Sequence, residues 1–168
     1  MLDNEALLKE VGSLLRMPLK LDPKTCRCTL RDKASKQEYF IELPRHSSYL
    51  YLYSVLLRAS PEQDSANFYR SLLEMNLFGL KTDTGSLSID PASRSILLHL
   101  SFPMEFLTPQ LMVNLLTNFT ATAKKLGVAV EDQLLISNKD AQKRRVHYSP
   151  AEGMDKKNPG SSMRVIRI

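Results

Sequence analysis

The 168-residue sequence has no tryptophan, two cysteines, three histidines and six glycines. Each scarcity excludes a class of chemistry. Cys26 and Cys28 sit one residue apart in a strand-like run, so they would point the same way, a poor geometry for a disulfide, and two thiols alone cannot complete a zinc site. His46, His99 and His147 fall into no spacing that presents two metal ligands together. The glycines are scattered, and none forms a phosphate-cradling loop or a nucleophile elbow. Asp32, Glu38, Glu42, Asp83, Asp90 and Glu105 are interleaved with basic or turn residues, as on a solvated face rather than in an acid/base pair. The sequence therefore predicts no catalytic residue, no metal site and no cofactor. No apolar run approaches the roughly 18 residues that a membrane span needs, so no membrane insertion is expected. Met1-Leu2-Asp3-Asn4-Glu5 is acidic and lacks the basic start of a secretory signal, which predicts a cytoplasmic protein.

What remains is an ordinary globular composition, 43% hydrophobic and 24% charged, in a length suited to one domain. The net charge of +5 is unevenly distributed: residues 138–168 hold eight basic and three acidic side chains, whereas residues 1–137 hold fifteen of each. This divides the chain into a neutral body, 1–137, and a basic tail, 138–168. The tail has too few apolar groups to offset an ordering cost of roughly 1–2 kcal/mol per residue and is expected to be disordered.

Within the body the apolar period changes from segment to segment. Leu7, Leu8, Val11, Leu14 and Leu15 have the spacing of a one-faced helix that ends before Pro18. From Leu19 the period is two, with Cys26, Cys28 and Leu30 in one strand and Tyr39, Ile41 and Leu43 in the next. Tyr49-Leu50-Tyr51-Leu52-Tyr53 then forms a third strand with tyrosines on one face and leucines on the other. Ser60-Pro61-Glu62 reads as a helix start leading to Phe68, Leu72, Leu73 and Met75 and ending near Gly79. Ser86–Ile89 and Ser95–Phe102 flank an Asp90-Pro91-Ala92-Ser93 turn. A final helix starts at Thr108-Pro109 and carries Leu111, Met112, Leu115, Leu116, Phe119 and Ala123 toward Gly127. The expected fold is α+β: helix, three-strand antiparallel meander, helix, two-strand hairpin, helix, with one helix against each side of the sheet.

Three stretches in this order resemble the class I type III secretion chaperones, the CesT/SycE-like or Tir chaperone family. They are Leu7–Leu15 with its run through Leu19-Lys20-Leu21-Asp22 to Leu30; Leu72–Gly79 followed by Thr84–Asp90; and Ile96–Leu100 with Pro103 and the closing helix from Leu107 to Ala123. The resemblance implies a non-catalytic homodimer that keeps the N-terminal segment of secreted effector proteins extended; the basic tail is expected to contact an acidic partner, either cargo or the export machinery. It places cargo contacts on Leu14, Leu15, Leu19, Leu21, Cys28 and Leu30, with Tyr49, Tyr51 and Tyr53 as a second patch. It places the dimer contact on Phe68, Leu72, Met75, Leu77, Leu87 and Ile89.

Two features depart from the family pattern, which is typically acidic and compact: the sequence pI near 9.2 and the basic tail. The alternative reading is a non-chaperone adaptor or nucleic-acid accessory protein acting through Lys143-Arg144-Arg145 and Tyr148. The neutral body lacks the extended basic stripe of a dedicated nucleic-acid domain, which makes nucleic acid the lesser expectation.

Overall fold

The computed structural model describes residues 4–58, 60 and 65–147. Helix α1 (Asn4–Leu15) leads into strands β1 (Arg27–Arg31), β2 (Glu38–Glu42) and β3 (Tyr49–Arg58). Helix α2 (Ala66–Met75), strands β4 (Ser86–Asp90) and β5 (Ser95–Pro103), and helix α3 (Pro109–His147) follow. This is the order that the periodicity predicts. All five strands form one antiparallel sheet in the order β1-β2-β3-β5-β4. The second hairpin thus joins the meander through β5 against β3 instead of standing apart.

Strand alternation decides where the core lies. In β3, Leu50, Leu52, Ser54 and Leu56 are buried while Tyr49 and Tyr51 are exposed. Residues directly opposite in a ladder share a face, so the pairs Cys28–Ile41, Ile41–Leu52, Leu52–Leu100 and Leu98–Leu87 extend that buried face across all five strands. Leu7, Leu8 and Val11 of α1, Phe68 and Leu72 of α2, and Met112, Leu116 and Phe119 of α3 close over it in one cluster. Each fully buried leucine or phenylalanine contributes roughly 1.5–3 kcal/mol. The expected helix on each side is corrected: the helices share the apolar face, and the opposite face presents Thr29, Tyr51, His99 and Ser101 to solvent.

The turns are built by short polar side chains. Asp32 Oδ1 accepts from the amides of Ala34 and Ser35, Asp90 from Ala92 and the Ser93 hydroxyl, and Asp22 from Lys24. The Lys24 amide holds the Asp22 carboxyl, and the Ser93 hydroxyl the Asp90 carboxyl, below the ordinary carboxylate range. Helix α1 stops where Arg16 turns left-handed at φ 55°. Met17 N then reaches Gly12 O at 2.9 Å and Arg16 N reaches Ser13 O at 3.2 Å, the paired bonds of a Schellman end.

Three local expectations need correction. Cys26 is not in a strand: it sits at φ 54°, its amide bonded to Asp22 O, in the turn that delivers the chain to β1. Helix α2 is capped by Ser65, whose hydroxyl accepts from Phe68 N, while Pro61 and Glu62 lie outside the described residues. The closing helix does not stop near Gly127 but runs to His147, because Leu126, Val130, Leu134 and Ser137 continue its buried face at helical spacing. A Cβ built on Gly127 meets nothing within 4 Å, so this glycine is a permitted helix residue and not a terminator. Residues 138–147 of the basic segment are therefore helical, and 148–168 lie outside the described residues.

Candidate functional site

The two edges of the sheet differ in what their outward backbone groups meet. Cys26 O accepts from Leu43 N and Asp32 N donates to Gln37 O, so the even-numbered positions of β1 exchange bonds with β2. The odd-numbered Arg27, Thr29 and Arg31 direct their amides and carbonyls outward. Asp22 N takes the Arg27 carbonyl at 2.8 Å. Among the described residues no backbone group pairs with Thr29 or Arg31 on that side, which makes Thr29–Arg31 an open edge.

At the opposite edge the side chain of Asn76 stands in for a missing strand. Its Nδ2 donates to Leu87 O at 3.0 Å and its Oδ1 accepts from Leu87 N at 2.7 Å, which closes the outward pair of β4 at that point. Asn76 can do this because it ends α2 in a helical conformation, its own amide bonded back to Leu73 O and Glu74 O.

Of the leucines assigned to cargo, Leu14 is exposed, and Leu15, Leu21 and Leu30 are half-buried. A shallow groove of about 440 Å³ runs along the end of α1 between Lys9, Gly12, Arg16, Met17, Leu19 and Lys20. Leu19 and Cys28, both assigned to cargo from the sequence, are core residues. Burial raises the Cys28 thiol, which keeps it protonated and inert. Tyr49 and Tyr51 are exposed and Tyr53 half-buried, but on the face of the sheet opposite Cys28 and Leu30. The structure therefore does not bring the leucines and tyrosines into one patch. Tyr53 stacks on Phe40 with ring centroids 4.9 Å apart and donates to Glu42 Oε2 at 3.1 Å.

The second apolar surface lies along α2 and β4. Tyr69, Leu72, Leu73, Asn76, Leu87 and Ile89 line a groove of about 240 Å³. Of the residues assigned to a dimer contact, Phe68, Leu72, Met75 and Leu87 are buried within the chain, whereas Leu77 and Ile89 are exposed. Leu73, Phe78 and Leu80, outside the set assigned to a dimer contact, are 71%, 90% and 81% exposed. The signal was in the adjacent pair Leu72-Leu73: neighbours on a helix point about 100° apart, so a face that buries one exposes the other. Phe78 is lifted outward by its left-handed backbone, φ 52°, in a single 3-10 turn after α2.

Among the described residues no group of three metal-binding side chains converges, and no helix is long and apolar enough to cross a membrane. His46 and His99 stand apart, on a loop and on the open sheet face. What the geometry offers among the described residues is an open strand edge at β1 and an apolar surface along α2 and β4, both suited to polypeptide partners.

The fold has known counterparts. The chain of the HopA1–SchA chaperone–effector complex superimposes with a TM-score of 0.58 at 20% identity, covering 79% of this chain and 99% of that one. A chain of the ExsC–ExsE complex gives 0.60 at 16%, covering 75% and 92%. A chain of the ExoT–SpcS complex from Pseudomonas aeruginosa gives 0.52 at 17%, covering 72% and 94%. A search of the curated proteins found no match. At these identities the superpositions establish the shared fold. The model of the Tir chaperone protein (CesT) family matches residues 6–127, a span that takes in all five strands, α2, nearly all of α1 and the first half of α3. Over most of its length, then, the chain belongs to the Tir chaperone (CesT) family.

Proposed function

We propose that this protein is a cytoplasmic, non-catalytic type III secretion chaperone that binds the N-terminal segment of secreted effectors as an extended chain. The observation that carries the reading is the open edge at Thr29–Arg31, in a domain that also leaves Leu14, Leu15, Leu21 and Leu30 exposed or half-buried. An extended segment can satisfy that edge with backbone hydrogen bonds while its alternate side chains cover the leucines. The family match over residues 6–127, and the shared fold with a chain of the HopA1–SchA complex, which is described as a chaperone–effector complex, support the same role. Two copies associate through Leu73, Leu77, Phe78, Leu80 and Ile89, because an isologous contact is the commonest way to cover such a surface. The basic segment from residue 138 onward serves as a contact for an acidic partner, either cargo or the export machinery.

The test is capture from the source cytosol by the full chain and by a truncation after Ser137, followed by deletion of the N-terminal region of each captured protein. Capture that needs that region and survives high salt supports the chaperone. Capture only by the full chain, dominated by nucleic acid and lost in salt, replaces it with the tail-driven adaptor.

A further inference from the structure

We infer that helix α3 pairs with the α3 of a second copy of this chain, antiparallel about a two-fold axis at Val128. The Lys124-Lys125 block of each copy then meets the Glu131-Asp132 block of the other. The contact is separate from the α2–β4 surface and goes beyond the chaperone reading, which does not require it.

The observation is a second pattern on α3, on the side away from the core. Ala123, Leu126, Val130 and Leu134 are buried and fix the inward face. Ala121, Val128 and Leu135 follow one another at intervals of seven residues, two turns of helix, on the outward face. All three are exposed, Val128 to 62% and Leu135 to 57%. Between them stand Lys124-Lys125 and then Glu131-Asp132, likewise exposed. The outward face thus reads apolar, basic pair, apolar, acidic pair, apolar. From Val128 onward it lies outside the span matched by the family model, so the shared fold does not account for it.

The spacing of the charges sets this face apart from an ordinary solvated one, which gains from opposite charges three or four residues apart. The positions three and four away from Lys125, Glu131 and Asp132 hold only Ala, Thr, Gly, Val, Leu or Ile. Among the described residues no ion pair or side-chain hydrogen bond engages any of the three. Nor do the helix ends explain them: the helix dipole acts within the first and last turn, and both blocks stand in the middle third of α3.

A second copy supplies the missing partners. Antiparallel helices crossing at Val128 set Lys125 opposite Glu131, Lys124 opposite Asp132 and Ala121 opposite Leu135, each twice by symmetry. Lys124 is already tied to Asp32, so Lys125 and Glu131 carry most of the discrimination. A parallel pair sets each block against its own kind. Sliding the antiparallel pair until Val128 meets Leu135 sets Glu131 against Asp132 and Lys124 against Lys139. Of these arrangements, only the register on Val128 matches charge and apolar groups together. A stripe about 21 Å long covers less than the roughly 800 Å² per partner of a standard interface, so it joins copies at higher concentration than the α2–β4 surface does.

The experiment is disulfide cross-linking of the full chain by mild oxidation, read on non-reducing gels against the wild type, whose Cys26 and Cys28 set the background. Val128→Cys should form a covalent dimer. Leu135→Cys alone should stay at background, because its two copies lie about 21 Å apart along the helices, while a mixture of Ala121→Cys with Leu135→Cys should cross-link. Adding Lys125→Glu to Val128→Cys should slow the reaction about ten-fold, and adding Glu131→Lys should do the same. An equal mixture of those two double variants should recover the rate, because opposed charges again differ in sign. Failure of Val128→Cys to cross-link above background overturns the proposal. Cross-linking of Leu135→Cys as fast as Val128→Cys, or a rate indifferent to both charge changes, shows random collision and overturns it too. A mixture no faster than the separate double variants, with each folded by circular dichroism, overturns the charge matching and the proposal with it. Each readout is taken at α3, so it holds whether or not the α2–β4 contact forms.

Discussion

Lys124 Nζ stands 2.5 Å from Asp32 Oδ2, so the middle of helix α3 is tied to the turn between β1 and β2. The same carboxylate closes that turn through the amides of Ala34 and Ser35 at 2.8 and 2.9 Å. One side chain thus sets both the hairpin's turn and its position against the helix.

The tie predicts a pH dependence. The Lys124 ammonium first, and then the turn amides, hold the Asp32 carboxyl well below the ordinary carboxylate range, and Asp32 in turn raises Lys124. A depressed acid stabilises the fold above its unfolded value, about 4, and loses that contribution as pH falls through its folded value. A raised amine stabilises below its unfolded value, about 10.4, and loses its contribution as pH rises through the folded one. Asp32→Asn should therefore lower the urea midpoint at neutral pH, and the gap to the wild type should close in strong acid. A gap that stays constant down to acid unfolding would count against the tie.

Asn76 is expected to be more than a helix terminus. Replacing it with alanine leaves the outward amide and carbonyl of Leu87 without their partner and should cost roughly 1–3 kcal/mol. Asn76→Asp keeps the acceptor but loses the donor and sets a carboxylate beside the Leu87 carbonyl, so it should be no better. Chemical denaturation of both variants, with hydrogen exchange at the Leu87 amide, checks this.

The α2–β4 surface separates association from folding. Leu73→Asp and Phe78→Ser change exposed side chains and should shift sedimentation from dimer to monomer with little change in melting temperature. Leu72→Ala and Met75→Ala instead open the core and should cost about 2–5 kcal/mol of stability whatever the oligomeric state. Sedimentation unchanged in both surface variants would remove the proposed dimer contact.

Helix α1 offers a gain in stability. Arg16 occupies the left-handed position of the Schellman end that glycine normally fills, so Arg16→Gly should stabilise by roughly 0.5–1 kcal/mol. Gly12→Ala should do the reverse by about 1–3 kcal/mol, because a Cβ there would come within 2.7 Å of the Met17 carbonyl oxygen. Thermal melts of the two variants should move in opposite directions.

The sequence by itself determined the order of elements and the buried face of each, because a period of two or 3.6 is written residue by residue. Tyr49–Tyr53 shows this: its tyrosines are the outward set and its leucines the buried one. The stop assigned to α3 at Gly127 failed because a glycine ends a helix only when packing no longer holds the next turn, and Val130 and Leu134 hold it. Only the tertiary structure decided what each face meets. Periodicity marks Phe68, Leu72, Leu73 and Met75 alike as apolar, yet packing consumes three in the core and leaves Leu73 exposed. It also decided that β5 joins β3, which leaves β1 and β4 at the edges, and that Asn76 folds back onto one of them. A strand's exposed backbone depends on which neighbours arrive from elsewhere in the chain, and no local pattern records that.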